Sequence, residues 1–311
     1  MPEKLIISDS FRAMGTNISL KIVWSGKVND KKLEKIKIEV RNTFEKSEKI
    51  FSRFRENSEL SKINKKLGIK TKISSEMLEI LLLCKKFNKI SGGYFDPRIL
   101  KNLEKIGYKK NFKKNNFVSS GEEIILNKTE GLLENDLKIF SKEKKILIKK
   151  EVDTTGIVKG WTVDLVSKFL LKEGFKNFII DAGGDMSIQG LNGNCEKWKI
   201  GIEDVDDTKI MLECSRIGLA TSGINRKQWV VGEKKVHHLI NPKDPNRFSL
   251  DLKTVTVIRE KTVEADGRAK TLYLMGREDG LKFANENKIE ALFLDYKGNV
   301  YLSEEIKQYI V

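Results

Sequence analysis

The chain has 311 residues, 39% of them hydrophobic and 33% charged, a balance that excludes wholesale disorder and permits a large buried core. No run approaches the ~18 uninterrupted apolar residues of a membrane span. MPEKLIISDSFRAMG shows no basic segment followed by an apolar one, so no signal peptide is read and a cytoplasmic location is expected. The formal net charge is +15, yet only eleven of the 59 basic residues are arginine and the lysines are scattered among glutamates, which favours a solvated surface, attractive to anions, over a nucleic-acid stripe.

In chain order, TNISLKIVW (16–24) alternates apolar and polar residues as a half-buried strand does. From Asp30, the positions Leu33, Ile36, Val40, Phe44 and Phe51 recur mostly every three or four residues and predict an amphipathic helix. FSRFRENSELSKIN reads as a loop with a short helix. Ser74 and Ser75 cap a helix carrying Met77, Leu78, Leu81 and Cys84 that stops at Gly92-Gly93. Residues 109–148 are lysine-rich and carry no clear period. GIVKGWTVDLVSKFLLKEGF is a helix ending at Gly174, and NFIIDAGGD a buried strand running into a glycine turn. Strands are then expected at WKIGIED, IMLEC, QWVVG, VHHLI and TVTVI, helices over about Val263 to Met275 and from near Gly280, and a hairpin at ALFLDYKGNVYLS. With neither repeat nor linker, residues 1–311 read as one α+β unit, of one or two lobes, with packed helices and mixed or antiparallel sheets. Cys84, Cys195 and Cys214 are too few and too far apart for a disulfide framework or a zinc site, so free thiols are expected.

Six segments hold more glycines, carboxylates and hydroxyls than folding requires: FRAMGT, SRFRENSELSKIN, SGGYFDPRI, VDTTGIVKGWTVD, DAGGD with ATSG, and HHLINP with EADGRAKTLYLMG. In VDTTGIVKGWTVD, Asp153 ends a strand and Gly156 begins a helix whose free N–H groups suit a phosphate, with Lys159 one turn inside. An ordinary capped helix with a surface lysine is the plainer alternative. HHLINP holds both histidines of the chain, the side chains best poised for proton transfer near neutrality. Asp266 and Lys270 are four apart on one helix face, as an ion pair or a ligand pair would be.

In their order along the chain these segments resemble the ApbE family, whose members cleave FAD and join its FMN half to a threonine or serine of a partner protein. The resemblance implies that Asp153 and Lys159 contact FAD. It further implies that Tyr94, Phe95 and Asp96 line the pocket, that Met14 and Phe54 give apolar contacts, and that Ile240 contributes its backbone. His238 matches the histidine of the family's H-I-I-D-P and is the candidate general base. The Gly156 carbonyl, Asp266 and the residue at position 270 match a magnesium site. Five positions depart from the family pattern: Thr154 and Thr155, Phe54 for tyrosine, Asn241 for aspartate, and Lys270 for the metal-binding threonine. An ammonium is a poor ligand for a hard cation, which wants oxygen. Either magnesium binds through Asp266, the Gly156 carbonyl, phosphate and water, or the Lys270 charge replaces part of the metal's, or Asp266–Lys270 is a plain helix pair in a protein that has lost metal chemistry.

The resemblance thus implies a transferase using FAD as substrate, Mg2+ as cofactor and a flavinylated acceptor protein as partner, with no nucleic acid and no membrane span. Two alternatives remain at this point: a flavin-binding or FAD-hydrolysing relative without transfer activity, and a basic nucleic-acid-binding protein.

Overall fold

The computed structural model describes residues 5–26, 29–108, 124–205, 210–224 and 228–311. Alternation over Thr16–Trp24 sends Ile18, Leu20 and Ile22 to one apolar cluster and Val23 to another on the opposite face. That strand belongs to an eight-stranded sheet whose order in space follows the chain: Leu5–Ala13, Thr16–Trp24, Phe178–Ala182, Asp185–Gln189, Ile217–Gly223, Leu252–Arg259, Glu290–Asp295 and Val300–Leu302. Every neighbouring pair is antiparallel.

One face is covered by helices. The stripe Ile36, Val40 and Phe44 of the helix Asp30–Phe51 packs with Ile18, Leu20, Phe178 and Ile180. The helix starts where the Asn29 side chain accepts from the Lys31 N–H. Thr155–Lys172 and Thr262–Met275 lie deeper and bury Thr162, Ser167, Asp266 and Thr271 as well as apolar residues, so neither shows a simple apolar stripe. Ala265, Ala269 and Leu272 meet Val255, Val257 and Phe293 of the sheet. Each large side chain so enclosed contributes roughly 1.5–3 kcal/mol. On the other face, the hairpin Trp198–Gly201 with Met211–Cys214 joins Ile306 against Ile188, Leu219, Ile258 and Leu292. A further apolar cluster unites the helix Ser75–Ile90 (capped by Ser74), a small sheet of Thr71–Lys72, Lys145–Ile148 and Leu137–Phe140, and Val152, Ile157, Trp161 and Val263. Helices and antiparallel sheets combine as the α+β reading expects.

Several boundaries differ. Leu5–Ala13 is a strand although only Ile7 of its nine residues is buried. As an edge strand it has little apolar pattern to show. ATSG lies within the strand Ile217–Gly223, and the last long helix begins at Arg277, three residues before Gly280. The strand in VHHLI ends at His237, which leaves His238 in the bend that follows. The lysine-rich 109–148 region lies in part outside the described residues, but Leu137–Phe140 and Lys145–Ile148 within it pair as strands. No disulfide joins the three cysteines, and burial pushes the Cys214 thiol up to about 12.

Candidate functional site

The site begins where two helices nearly touch. At Gly160 of Thr155–Lys172, an added Cβ would lie 2.8 Å from the Thr262 carbonyl oxygen and 3.0 Å from the Asp266 Cβ, so only glycine permits this crossing. One turn further, the Asp164 carboxylate accepts from the backbone N–H groups of Thr262 (2.8 Å) and Val263 (2.9 Å), capping the second helix from the first. Burial raises the Asp164 carboxyl above its ordinary value, and these N–H donors pull it partly back. The crossing places Asp266, 0% exposed, against the Gly160 N–H, which donates to its Oδ2 at 3.3 Å. Lys270, one turn along, donates to the Asp266 Oδ1.

A second pair stands beside the first. Asp185, 1% exposed, accepts from Lys159. It follows a turn in which Gly183 and Gly184 have φ of +66° and +97°. A Cβ on Gly183 would meet the Thr16 Oγ1 at 2.1 Å, so this corner demands glycine on both counts. Burial opposes the charge on Lys159, but Asp185, Asp266 and Asp181 outweigh it and raise its pKa, so the ammonium is held charged. Burial, with Asp185 adding to it, pushes the Asp266 carboxyl up to about 6, against the pull of Lys270 and Lys159. Two carboxylates and two ammoniums thus share one largely buried cluster.

The remaining wall is aromatic and holds a residue that sequence reasoning missed. Arg53 is 97% buried with Asp153, each side chain 3% exposed, and its Nε lies 3.3 Å from the Asp153 Oδ2. Its guanidinium stacks on Phe54 (4.3 Å) and Tyr108 (4.5 Å), while Nε and Nη2 make no hydrogen bond. Buried donors of this kind suit an anionic or nucleotide ligand. Phe54 meets Tyr108 edge-on at 5.7 Å, and Tyr108 meets His238 at 6.3 Å. Burial raises the Tyr108 hydroxyl, with Asp153 acting the same way and Arg53 and Lys159 opposing. Asp153 also accepts from the Thr155 N–H at 2.8 Å, at the start of the helix that carries Lys159. Gly156, in the same first turn, has Phe95 and Lys270 as its nearest neighbours, 3.2 and 3.6 Å from where a Cβ would be.

Phe54, Phe95, Asp153, Gly156, Lys159, His238, Asp266 and Lys270 are therefore linked by direct or next-neighbour contacts. Ile240 is buried two residues beyond His238, among Trp229 and Val236. Met14 sits at the tip of the first hairpin with φ +50°, its N–H donating to Glu48 at 2.7 Å. A methionine in the left-handed region is strained, as residues at ligand sites often are. Two further residues that the resemblance places along the pocket have partners of their own. Both Asp96 carboxylate oxygens are taken up by Arg98 and Asn88, and Arg98 in turn reaches Asp136 at 2.6 Å, so Asp96 is a buried structural anchor behind Phe95. Tyr94 is half-buried with the Lys243 ammonium 4.2 Å over its ring. Asn241, where the family has aspartate, accepts from the Lys243 N–H at 3.0 Å and shapes the turn without a charge.

The expected magnesium donors at Gly156, Asp266 and position 270 do not fit a divalent ion. Lys270 brings an ammonium, which has no lone pair to give, and it occupies Asp266 Oδ1 while Gly160 faces Oδ2. The neighbouring hydroxyl of Thr271 points elsewhere, ~100° further round the helix, and donates to the Gly267 carbonyl of its own helix at 2.9 Å. Among the described residues no group of three or more His, Cys, Asp or Glu is arranged to hold a metal.

Comparison with known proteins agrees with this architecture. The family model described as the ApbE family matches residues 14–293. An FAD:protein FMN transferase of Vibrio cholerae is 27% identical over 288 residues, 90% of this chain and 85% of that protein. One of Haemophilus influenzae is 25% identical over 318 residues, 97% of this chain and 90% of its own. The solved flavin transferase ApbE from Vibrio cholerae covers 98% of this chain, with 99% of its own, at 23% identity and a TM-score of 0.80. The apo Pseudomonas stutzeri flavinyl transferase ApbE covers 100% of this chain, with 99% of its own, at 21% identity and a TM-score of 0.83. No helix among the described residues is long and apolar enough to cross a membrane. With 280 of its residues inside the family model, this chain belongs to the ApbE family.

Proposed function

We propose that this chain transfers FMN from FAD to a threonine or serine hydroxyl of an acceptor protein and releases AMP. The observation that carries this reading is the meeting, on an ApbE fold, of the Lys159–Asp185 and Lys270–Asp266 pairs with Phe54, Tyr108 and His238. The aromatic side chains and Arg53 supply faces for the rings of a dinucleotide. The start of the helix Thr155–Lys172 and the two ammoniums supply positive charge for its pyrophosphate.

In the reaction so read, the acceptor hydroxyl oxygen attacks the phosphorus of the FMN half, and its proton passes to His238. The new oxygen–phosphorus bond forms as the bond to the AMP phosphate breaks, and AMP leaves with that electron pair. His238 then returns the proton to solvent. Charge building on the phosphoryl oxygens and on AMP faces Lys159 and Lys270, an electrostatic contribution that is the larger part of such catalysis. Without an acceptor, water takes its place and yields FMN and AMP. No step is assigned to magnesium.

Incubation of the purified chain with FAD and a threonine-bearing acceptor peptide tests the proposal through chromatographic measurement of AMP. AMP should accumulate in step with peptide modification, and His238→Ala should lower the rate by about 10²–10⁴-fold, the usual weight of a positioned base. FAD binding without any AMP would leave a flavin-binding protein and remove the transferase reading. Salt-sensitive oligonucleotide binding with no affinity for FAD would instead favour the nucleic-acid alternative.

A further inference from the structure

We infer that the Lys270 ammonium stands where a divalent cation would otherwise act, so that this chain binds and positions the FAD pyrophosphate without a metal ion. The inference rests on the proposed use of FAD and deepens it.

Four observations point the same way. Lys270 projects one turn from Asp266 on the same helix and donates to its Oδ1, so its charge occupies the side of the carboxylate a metal would need. The pair is enclosed, with side-chain exposures of 17% and 0%, and it is not the solvated i,i+4 pair of a helix surface. The Lys270 stem also approaches Gly156, the helix-start residue beside Phe95, its Cδ 3.6 Å from where a Cβ would be, so the side chain passes the helix N-terminus that a phosphate favours on its way to Asp266. Finally, position 270 itself offers a metal no oxygen, and the neighbouring Thr271 hydroxyl is buried and bonded into its own helix.

The charge balance of the cluster is consistent with this role. Lys159 and Lys270 face Asp185 and Asp266, a neutral foursome as it stands. A pyrophosphate that shares the two ammoniums with the carboxylates meets positive charge already fixed in place, which costs no ion capture and little reorganisation. A lysine is a single positive charge on a flexible stem, so it neutralises less than a divalent ion but needs none from solution.

The test measures FAD binding by fluorescence anisotropy, in EDTA and in excess MgCl2, for the wild type and for Lys270→Thr, the substitution that restores a hydroxyl ligand. In parallel, Mn2+ binding to each protein alone is read by electron paramagnetic resonance. The wild type should bind FAD with affinities within about threefold in the two buffers and show no Mn2+ site. Lys270→Thr should lose FAD affinity in EDTA by about tenfold or more, as expected for removal of a buried charge partner, recover it with MgCl2, and gain a Mn2+ site. A wild type that binds FAD only with MgCl2, or holds Mn2+ at unit stoichiometry, would overturn the inference while leaving flavin transfer intact. A wild type that binds FAD in neither buffer would remove both. If Lys270→Thr does not fold, as judged by circular dichroism, Lys270→Gln provides the same comparison in EDTA. Unchanged affinity there would equally overturn the inference.

Discussion

Gly160→Ala puts one methyl group at the point where the two site helices cross. Alanine gains roughly 1 kcal/mol over glycine in a helix interior. Here the new carbon would sit 2.8 Å from the Thr262 carbonyl oxygen and 3.0 Å from the Asp266 Cβ, well inside the ~3.5–4.0 Å of an unstrained contact. Neither neighbour is a flexible side-chain end, so the helices must part by several tenths of an ångström, at a cost of about 1–3 kcal/mol. The net destabilisation is then about 1 kcal/mol. With about 2 cal/mol/K of unfolding entropy per residue, 311 residues give about 0.65 kcal/mol/K, and the Tm should fall by only about 2 °C. The site suffers more, because the displaced atom belongs to Asp266 and a misplacement of ~1 Å can cost about 10²-fold in rate. Differential scanning calorimetry and AMP release, measured on the same preparations, should show a near-normal melt with turnover down by about 10- to 100-fold. A variant with unchanged turnover would refute the claim that this crossing sets the position of Asp266.

Asp164→Ala removes both N–H acceptors at the start of Thr262–Met275; it should cost about 1–2 kcal/mol and lower the Tm by roughly 2–3 °C, and an unchanged melt would deny the cap. Arg53→Lys keeps the charge beside Asp153 but loses the planar stack on Phe54 and Tyr108, so FAD anisotropy should report an affinity at least about fivefold weaker, and wild-type affinity would exclude Arg53 from the site. His237 is buried and its imidazole is pushed down to about 4. The unfolded chain therefore binds more protons between about pH 6.5 and 4, and the folded protein should lose up to about 2–3 kcal/mol as pH falls through that window, levelling off below it. Melts of wild type and His237→Gln across this range should converge as pH falls, and parallel curves would contradict the assignment.

How much of this was legible in the sequence depended on the range of the interaction. Local periodicity reveals the helices Asp30–Phe51 and Ser75–Ile90, where an apolar stripe and a Ser or Asn cap coincide. It fails at Leu5–Ala13, an edge strand with one buried residue, and at His238, where a strand pattern runs on past the last ladder pair. The functional segments are visible as residues richer in glycine and carboxylate than packing needs, but their pairings are not. Lys159 with Asp185 and Arg53 with Asp153 join parts of the chain 26 and 100 positions apart, and no spacing rule finds them. An arginine between Phe51 and Phe54 was the only available hint of Arg53. Asp96 shows a related limit: its motif is legible, but the engagement of its carboxylate by Arg98 two residues on is not. Lys270 was legible as a departure, whereas the closure of its ammonium on Asp266 needed the folded helix.

The central claim is covalent transfer of FMN to a protein hydroxyl, and tandem mass spectrometry of an acceptor peptide tests it most directly. After incubation with the wild-type chain and FAD, the peptide should carry one FMN residue, mapped to its threonine, and a peptide with alanine there should remain unmodified. An unmodified threonine peptide, in a mixture where FAD is demonstrably bound, would contradict the account.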